Sequence, residues 1–443
     1  MSAFDPAIFS AHSHFEVDHL TIGGVRASDL ANEFGTPLYI VDEVDFRERA
    51  ANWRRALEVA FGAHAGIVYY AAKSFISKEI ARWVESSNIG LDVCTGGELA
   101  VAQAIGFPPE RIEMHGNNKS EAEIRDALIY GVRIIVIDSF DEIERVREVA
   151  VELGKVQRVF IRVTPGVEAH THEFISTAHE DVKFGFSLAS GAAWDAIAAI
   201  RGEPALELAG LHSHIGSQIF ESEGFAAAAI KLIALLSRYR DTYGQELPEL
   251  DLGGGYGIAY VPGEITLDPQ QVLNELAAVV QRECNKVNIS IPMISIEPGR
   301  AIVGPSTTTL YTVGTTKEVE LDEGKSRRYV AVDGGMSDNI RPALYGAEYF
   351  AIIANRLPLG PTRNSRIVGK HCETGDIIIR EIELSADIAP GDLLAIPATG
   401  AYGRSMASNY NHQPRPAVVA VMAGEARVIV RRESIADLLA LEI

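Results

Sequence analysis

Between residues 66 and 300, short apolar runs alternate with stretches whose apolar residues recur at three-to-four spacing. Eight runs read as strands: residues 66–73, 89–95, 112–117, 134–139, 159–165, 208–217, 249–255 and 293–300. The intervening segments, among them 120–130, 141–153, 222–243 and 269–286, carry the helical period. Ser120 and Ser222 stand where N-caps belong, and Gly131 and Gly154 where helices stop. Strand–helix alternation predicts a parallel sheet with crossover helices. Eight repeats in about 235 residues match an α/β fold of the closed (β/α)8 TIM-barrel type, which takes roughly 250. A doubly wound open sheet is the alternative.

After about residue 305 the pattern changes to β-strands separated by Gly, Pro and Asp turns, at 307–313, 328–332, 377–383, 393–396, 417–422 and 426–430. This predicts a C-terminal all-β, Greek-key-like domain. The N-terminal segment, with Pro37-Leu-Tyr-Ile-Val41, is expected to join it rather than the barrel. The expected division is therefore a barrel over residues 45–305 and a β domain built from 1–44 and 306–443. No solenoid repeat or low-complexity segment interrupts either part.

Chemistry in a barrel gathers at the carboxyl ends of its strands. Here those ends read Lys73, Asp92-Val-Cys-Thr-Gly-Gly, His115-Gly-Asn-Asn-Lys, Asp138-Ser, Arg162-Val-Thr-Pro-Gly, His212-Ser-His-Ile-Gly-Ser217, Gly253-Gly-Gly-Tyr-Gly257 and Glu297-Pro-Gly-Arg300. A barrel with a purely structural role has no need of a lysine, two histidines, a glutamate and an arginine there. Lys73 closes an apolar run. It is read either as a lysine snorkelling to the surface or as a desolvated amine suited to a Schiff base.

Composition narrows the function classes. The chain has 443 residues, 47% of them hydrophobic, enough for two domains with their own cores. Its formal charge of −20 argues against nucleic acid or an anionic membrane as partner. No signal peptide is visible at Met1-Ser-Ala-Phe, and no apolar stretch approaches the ~20 residues of a membrane span. Three scattered cysteines, Cys94, Cys284 and Cys372, fit a reducing cytoplasm rather than a disulfide framework.

The glycine run Gly253–Gly257 follows a strand but opens no helix, since Pro262 and Gly263 come soon after, so a dinucleotide fingerprint fails on context. A phosphate cradle fits better, because barrel phosphate sites use the loops after strands seven and eight. The histidines of Glu168-Ala-His170-Thr-His172-Glu173 and His179 match no standard zinc spacing, and no metal is expected. His212 and His214 sit two apart on one strand and are therefore expected on the same face. His212 is read equally as a carbonyl-bonded structural histidine. Cys372 beside Glu373 offers an acid–base thiol, and Arg341 with Tyr345 a fork and a phenol for a carboxylate. A lone core cysteine and an ordinary surface Arg–Tyr pair are the plainer readings.

Taken together, Tyr70-Ala-Ala-Lys73, Leu91-Asp-Val-Cys-Thr-Gly-Gly-Glu98, His115-Gly-Asn-Asn-Lys119, His214-Ile-Gly-Ser217, Gly253-Gly-Gly255, Glu297-Pro-Gly-Arg300, Asp333-Gly-Gly-Met-Ser-Asp338, Cys372-Glu373 and Gly400-Ala-Tyr402 resemble the fold-type III pyridoxal-phosphate decarboxylases, and within them the diaminopimelate decarboxylases. The 168–180 stretch resembles their actinobacterial form. The resemblance implies pyridoxal 5'-phosphate as cofactor and conversion of meso-2,6-diaminopimelate, at its D-centre and through an external aldimine, to L-lysine and CO2, the last step of lysine biosynthesis. It implies that Lys73 carries the cofactor, that Glu297 faces its ring nitrogen and that His214 stacks on the ring. Ser217, Gly254, Gly255, Gly299, Arg300 and Tyr402 would hold its phosphate. Arg300, Arg341, Tyr345 and Tyr402 would take the distal carboxylate, Glu373 the distal ammonium, and Cys372 would return the proton. It also implies a homodimer with the active site at the interface. Decarboxylases of ornithine or arginine, and a non-catalytic relative, are the alternatives. The former would leave Arg300 and Arg341 facing a cationic or apolar end. The latter predicts erosion at Lys73, Glu297 or Cys372, where none is seen.

Overall fold

The computed structural model describes residues 4–167, 183–322 and 326–443. The chain divides into two compact units, one of Arg49–Gly257 and Leu267–Gly299, the other of Met1–Glu48, Ile258–Thr266 and Arg300–Ile443.

The first unit is a closed parallel barrel. Its strands are β1 (Ala65–Ala71), β2 (Gly90–Val93), β3 (Ile112–Met114), β4 (Ile134–Ile137), β5 (Gln157–Thr164), β6 (Leu206–His212), β7 (Glu249–Asp251) and β8 (Met293–Ile296). Each pairs in parallel with the next, and β8 pairs with β1 to close the ring. The open-sheet alternative is thereby excluded. The helices between strands start where the sequence supplies caps. Ser120 forms a full capping box with Glu123 ahead of helix Glu121–Tyr130, and Ser77, Thr95 and Ser139 each accept a first-turn amide. Ser222 departs from expectation. It is the first residue of helix Ser222–Tyr243, and Glu221 precedes it as N-cap without a side-chain bond. Gly131 ends its helix in the left-handed region, as expected of a C-cap glycine. Every strand forecast ran past the observed carboxyl end, those of β6, β7 and β8 by four or five residues. β6 stops at His212, where the chain turns through Ser213–Gly216, and β8 stops at Ile296 before Pro298.

The second unit is mostly sheet. Its longest strand, Thr307–Glu320, pairs antiparallel with Ser326–Val332, Leu393–Ile396 and Leu38–Asp42. Leu38–Asp42 then pairs in parallel with Ala417–Met422, so the N-terminal segment supplies an internal strand of this sheet. Its core gathers Leu38, Ile40, Leu310, Ala395, Val419 and Val421, all essentially inaccessible to water. Thr362–Val368, a strand in this sheet, was not expected from its sequence. No helix among the described residues is long and apolar enough to cross a membrane.

Candidate active site

Lys73 leaves the barrel wall in a tight turn, Ala72–Ser74, directly after β1. The Ser74 hydroxyl donates to the Ala71 carbonyl at 2.7 Å and fixes the turn. Gly299 packs against it so closely that a Cβ there would lie 2.8 Å from the Ala71 Cβ. The Lys73 side chain is half-buried, and its charge acts on Asp92, Cys94, Glu98 and His214. Such company, with Asp92 fully buried, is not the setting of a lysine that snorkels to a surface.

Glu297 follows β8 and is buried. Its Oε1 lies 2.9 Å from His212 Nε2 and 3.2 Å from His115 Nε2. The charges of both rings bear on it across these contacts, while Oε1 and both His212 ring nitrogens are buried with no hydrogen-bond partner of regular geometry among the described residues. Burial alone would raise the Glu297 carboxyl, but the charges of His115 and His212 outweigh it and hold the group well below the usual carboxylate range. Burial would likewise neutralise His115, yet Asp92 and Glu297, aided by Glu113, raise it well above an ordinary histidine. His212 goes the other way, and burial takes it down to about 4. At neutral pH the trio is an anion, a cation and a neutral ring, with the two imidazoles edge to face at 4.8 Å.

A second polar layer lies against this one. Glu113 lies on β3 two residues before His115, which follows the strand's end, and its Oε1 is 3.2 Å from His115 Nε2. One carboxylate oxygen each from Glu113, Asp251 and Glu297 falls within a mutual 4.8 Å. Three buried carboxylates at that spacing cannot all be ionised. Burial pushes Glu113 up to about 8 and Asp251 well above the usual range. These two therefore carry the protons and Glu297 keeps its charge. His115, His212 and Glu297 are also close enough to hold a metal ion. His115 Nε2, which would ligate it, already lies 3.2 Å from both Glu113 Oε1 and Glu297 Oε1.

The glycine loop after β7 admits only glycine. A Cβ at Gly253, Gly254 or Gly255 would lie 2.5, 2.2 or 2.3 Å from the carbonyl oxygens of Ser213, Glu297 and Gly216 respectively. Gly253 and Gly255 also hold φ values of +70° and +111°, open to glycine at little cost. The Gly254 amide donates to His214 Nδ1 at 3.2 Å, which leaves the His214 ring proton on Nε2. Burial, then the charge of Lys73, holds His214 neutral. His214 lies beyond the end of β6, on the turn that also carries Ser217, so His212 and His214 do not share a strand.

In the other unit, Arg300 and Arg341 are both buried, at 8% and 5% exposure. The Arg341 guanidinium lies over the Tyr260 ring at 4.7 Å and donates through Nη1 to the Tyr349 hydroxyl. Arg300 donates through Nη1 to the Tyr260 hydroxyl and lies 4.8 Å over the Tyr402 ring. Arg341 makes no ion pair among the described residues, and its Nε is buried without a hydrogen-bond partner. A buried guanidinium in that state is a site for an anion. Tyr345, expected beside Arg341, ends the same short helix and is half-buried, while the phenol bonded to Arg341 is that of Tyr349. Cys372 and Glu373 sit on an exposed loop. His371 and Asp376 anchor it from within, the His371 ring 2.8 Å from the Ser337 hydroxyl and the Asp376 carboxylate accepting the Met336 and His371 amides. The histidines of 168–180 fall outside the described residues.

Residues the sequence did not single out are Glu113, Asp251, Tyr260 and Tyr349, while His115 was marked at a strand end and within a resembling motif but given no role. Strand parity could have flagged Glu113, two before His115. Nothing in the sequence pairs Tyr260 with the arginines.

Residues 43–304 match the family model of the pyridoxal-dependent decarboxylase, pyridoxal binding domain. The chain is 52% identical to the diaminopimelate decarboxylase of Corynebacterium efficiens over 96% of its length and 91% of that protein. It is 46% identical to that of Bacillus subtilis over 96% and 95%. Among solved structures, diaminopimelate decarboxylase from M. jannaschii in complex with L-lysine superposes with a TM-score of 0.91 at 31% identity, covering 98% of each chain.

Proposed function

The chain belongs to the pyridoxal-dependent decarboxylase family, and from that premise we propose that it removes the carboxylate at the D-centre of meso-2,6-diaminopimelate, releasing CO2 and L-lysine in the last step of lysine biosynthesis. The observation that carries the reading is Glu297, an ionised carboxylate buried between His115 and His212 with Oε1 lacking a hydrogen-bond partner of regular geometry among the described residues. That acceptor suits a protonated ring nitrogen. The residues fit pyridoxal 5'-phosphate in two further respects, an amine at Lys73 for covalent attachment and a glycine loop closed to any Cβ.

Bound pyridoxal 5'-phosphate supplies the electron sink for the pair left when the carbon–carboxylate bond breaks. The protein's own groups make that sink work. Glu297, kept anionic by His115, would favour a proton on the ring nitrogen. Glu113 and Asp251, protonated beneath it, add no competing charge. His214, neutral and fixed by the Gly254 amide, is placed to lie on the ring face. The amides of Gly254 and Gly255, Ser217, the Gly299–Arg300 segment and Tyr402 would hold the phosphate, and Lys73 would carry the cofactor on its side-chain amine. Arg300, Arg341, Tyr345 and Tyr402 grip the distal carboxylate, Glu373 pairs with the distal ammonium, and Cys372 delivers a proton to the α-carbon after CO2 departs. We further place the enzyme in the cytoplasm as a homodimer, the exposed Cys372–Glu373 loop serving the partner's barrel. No metal takes part in this scheme.

The same reading disfavours ornithine or arginine. Arg341 is buried without a counter-ion among the described residues, and a substrate ending in a cation or in methylene groups would leave it so. The test is CO2 release from meso-diaminopimelate, with and without added cofactor. Absence of CO2 together with absence of the cofactor's visible absorbance would overturn the proposal, and faster turnover of ornithine would overturn the substrate.

A further inference from the structure

Tyr260 lies on the segment Ile258–Thr266, which packs with the sheet-rich unit rather than with the barrel strands that flank it in sequence. The segment is pinned by Glu264, whose Oε2 accepts the backbone amides of Tyr260 and Val261 at 2.7 and 3.2 Å. The side chain is thereby held between two guanidiniums. Arg300 donates to the phenol oxygen, its guanidinium 5.8 Å from the ring centroid, while Arg341 lies 4.7 Å over the ring face. Tyr349 meets the ring edge to face at 5.3 Å and receives the Arg341 Nη1 proton on its own hydroxyl. Two buried cations this close repel, and the phenol parts them by offering a lone pair to one and its electron-rich face to the other.

We infer that Tyr260 is a specificity residue of the acidic-ligand site, its hydroxyl accepting from Arg300 and donating its own proton to the ligand's distal carboxylate. The inference rests on the diacid reading above and extends it to a residue that reading does not use. A phenol receiving a hydrogen bond at oxygen still has its proton to give, and Arg341 Nε is an unused buried donor beside it. Together they make a pocket for a carboxylate and not for an ammonium or a methyl end.

The arrangement also couples binding to a proton. The groups facing the phenol are Arg300, Arg341 and Tyr349, with Tyr402 on the far side of Arg300 and Glu264 at the backbone. Burial raises the phenol's pKa, but the two arginines more than offset this and bring it below that of an ordinary tyrosine. On the alkaline side the phenolate becomes an internal anion that competes with the ligand for the same cations and no longer donates.

The experiment has two arms on the holoenzyme. In the first, wild-type protein is titrated at alkaline pH with pimelate, a dicarboxylate lacking the amine needed to react with the cofactor, and the tyrosinate difference band in the near ultraviolet is followed. Pimelate should suppress the band and cadaverine should not; a band unmoved by pimelate, or absent altogether, overturns the inference. In the second, Tyr260→Phe should raise KM for meso-diaminopimelate about 10–100-fold, the loss of one hydrogen bond to a charged group. Its kcat should change far less, and the alkaline rise of KM expected of wild type should be absent. An unchanged KM, or a loss confined to kcat, overturns it. If wild type turns over no diaminopimelate while pimelate still suppresses the band, the substrate assignment fails and the role of Tyr260 stands.

Discussion

Glu113→Gln replaces one oxygen of a buried carboxyl by a nitrogen and changes little else. Glu113 is inaccessible to water, its Oε1 contacts His115 Nε2 at 3.2 Å, and its Oε2 has no hydrogen-bond partner. A glutamine keeps the first contact through its carbonyl oxygen. In the native protein, burial above all raises this carboxyl from 4.5 to about 8. Between those pH values the folded protein holds a proton that the unfolded chain has released, so stability falls as pH rises across the window. At about 1.36 kcal/mol per pH unit the full interval amounts to roughly 5 kcal/mol. Because Glu113 titrates together with Asp251 and Glu297, the expected cost at pH 8 is about 2–5 kcal/mol. Glutamine has no proton to lose. The variant should therefore match or fall slightly below wild type near pH 4.5, then gain on it steadily, reaching a Tm advantage on the order of 5 °C at pH 8. The assay is paired scanning calorimetry at several pH values with cofactor at one saturating concentration, since ligand binding shifts apparent stability. A Tm difference that stays flat between pH 5 and 8 would refute the claim that the Glu113 carboxyl is protonated in the folded barrel.

Lys73→Ala should abolish turnover and remove the visible absorbance of covalently held cofactor; retention of either shows that another amine carries it. Cys372→Ala should lower kcat by about 10²–10⁴ while leaving KM close to wild type, and near-normal turnover would reassign the proton donor. Gly254→Ala would place a Cβ 2.2 Å from the Glu297 carbonyl oxygen. It should cost about 1–3 kcal/mol of stability and weaken cofactor retention during dialysis, and an alanine variant that keeps its cofactor and its Tm would show that the loop has room to move.

The eight barrel strands were legible because strands buried on both faces read as apolar runs, and each observed strand lies within or beside its forecast. Their carboxyl ends were overestimated for a related reason. Residues such as His214 and Gly216 continue the chain but not the ladder, and a left-handed-side φ at Gly216 is invisible in a string of letters. Thr362–Val368, reading Thr-Arg-Asn-Ser-Arg-Ile-Val, was missed because its neighbours, not its own apolar content, hold it in the sheet. At the site, Lys73, His214, Glu297, Arg300 and Arg341 were legible from type and position. Their partners were not, because a partner is defined by what meets it across the ladder.

That distinction explains the polar layer. Asp92 stands opposite Glu113 in the β2–β3 register, and Asp251 opposite both His212 and Ser295 in its two pairings. These positions point inward with the same parity as His115 and Glu297, so the barrel fills one layer with acids and imidazoles where branched aliphatics are usual. An acid in such a layer costs too much to keep as an anion unless a cation meets it. His115 is the single imidazole raised toward the cationic form, and it can compensate only one full charge. Protonating Glu113 and Asp251 therefore serves the charge on Glu297. If all three carboxyls were ionised, none would be held as low as Glu297 is, and the ring proton would have no settled partner. On this argument Asp251→Asn should resemble Glu113→Gln in its pH-dependent stability, whereas Glu297→Gln should leave that slope largely in place and remove activity instead. A reversed pattern would move the lasting charge from Glu297 to one of its neighbours.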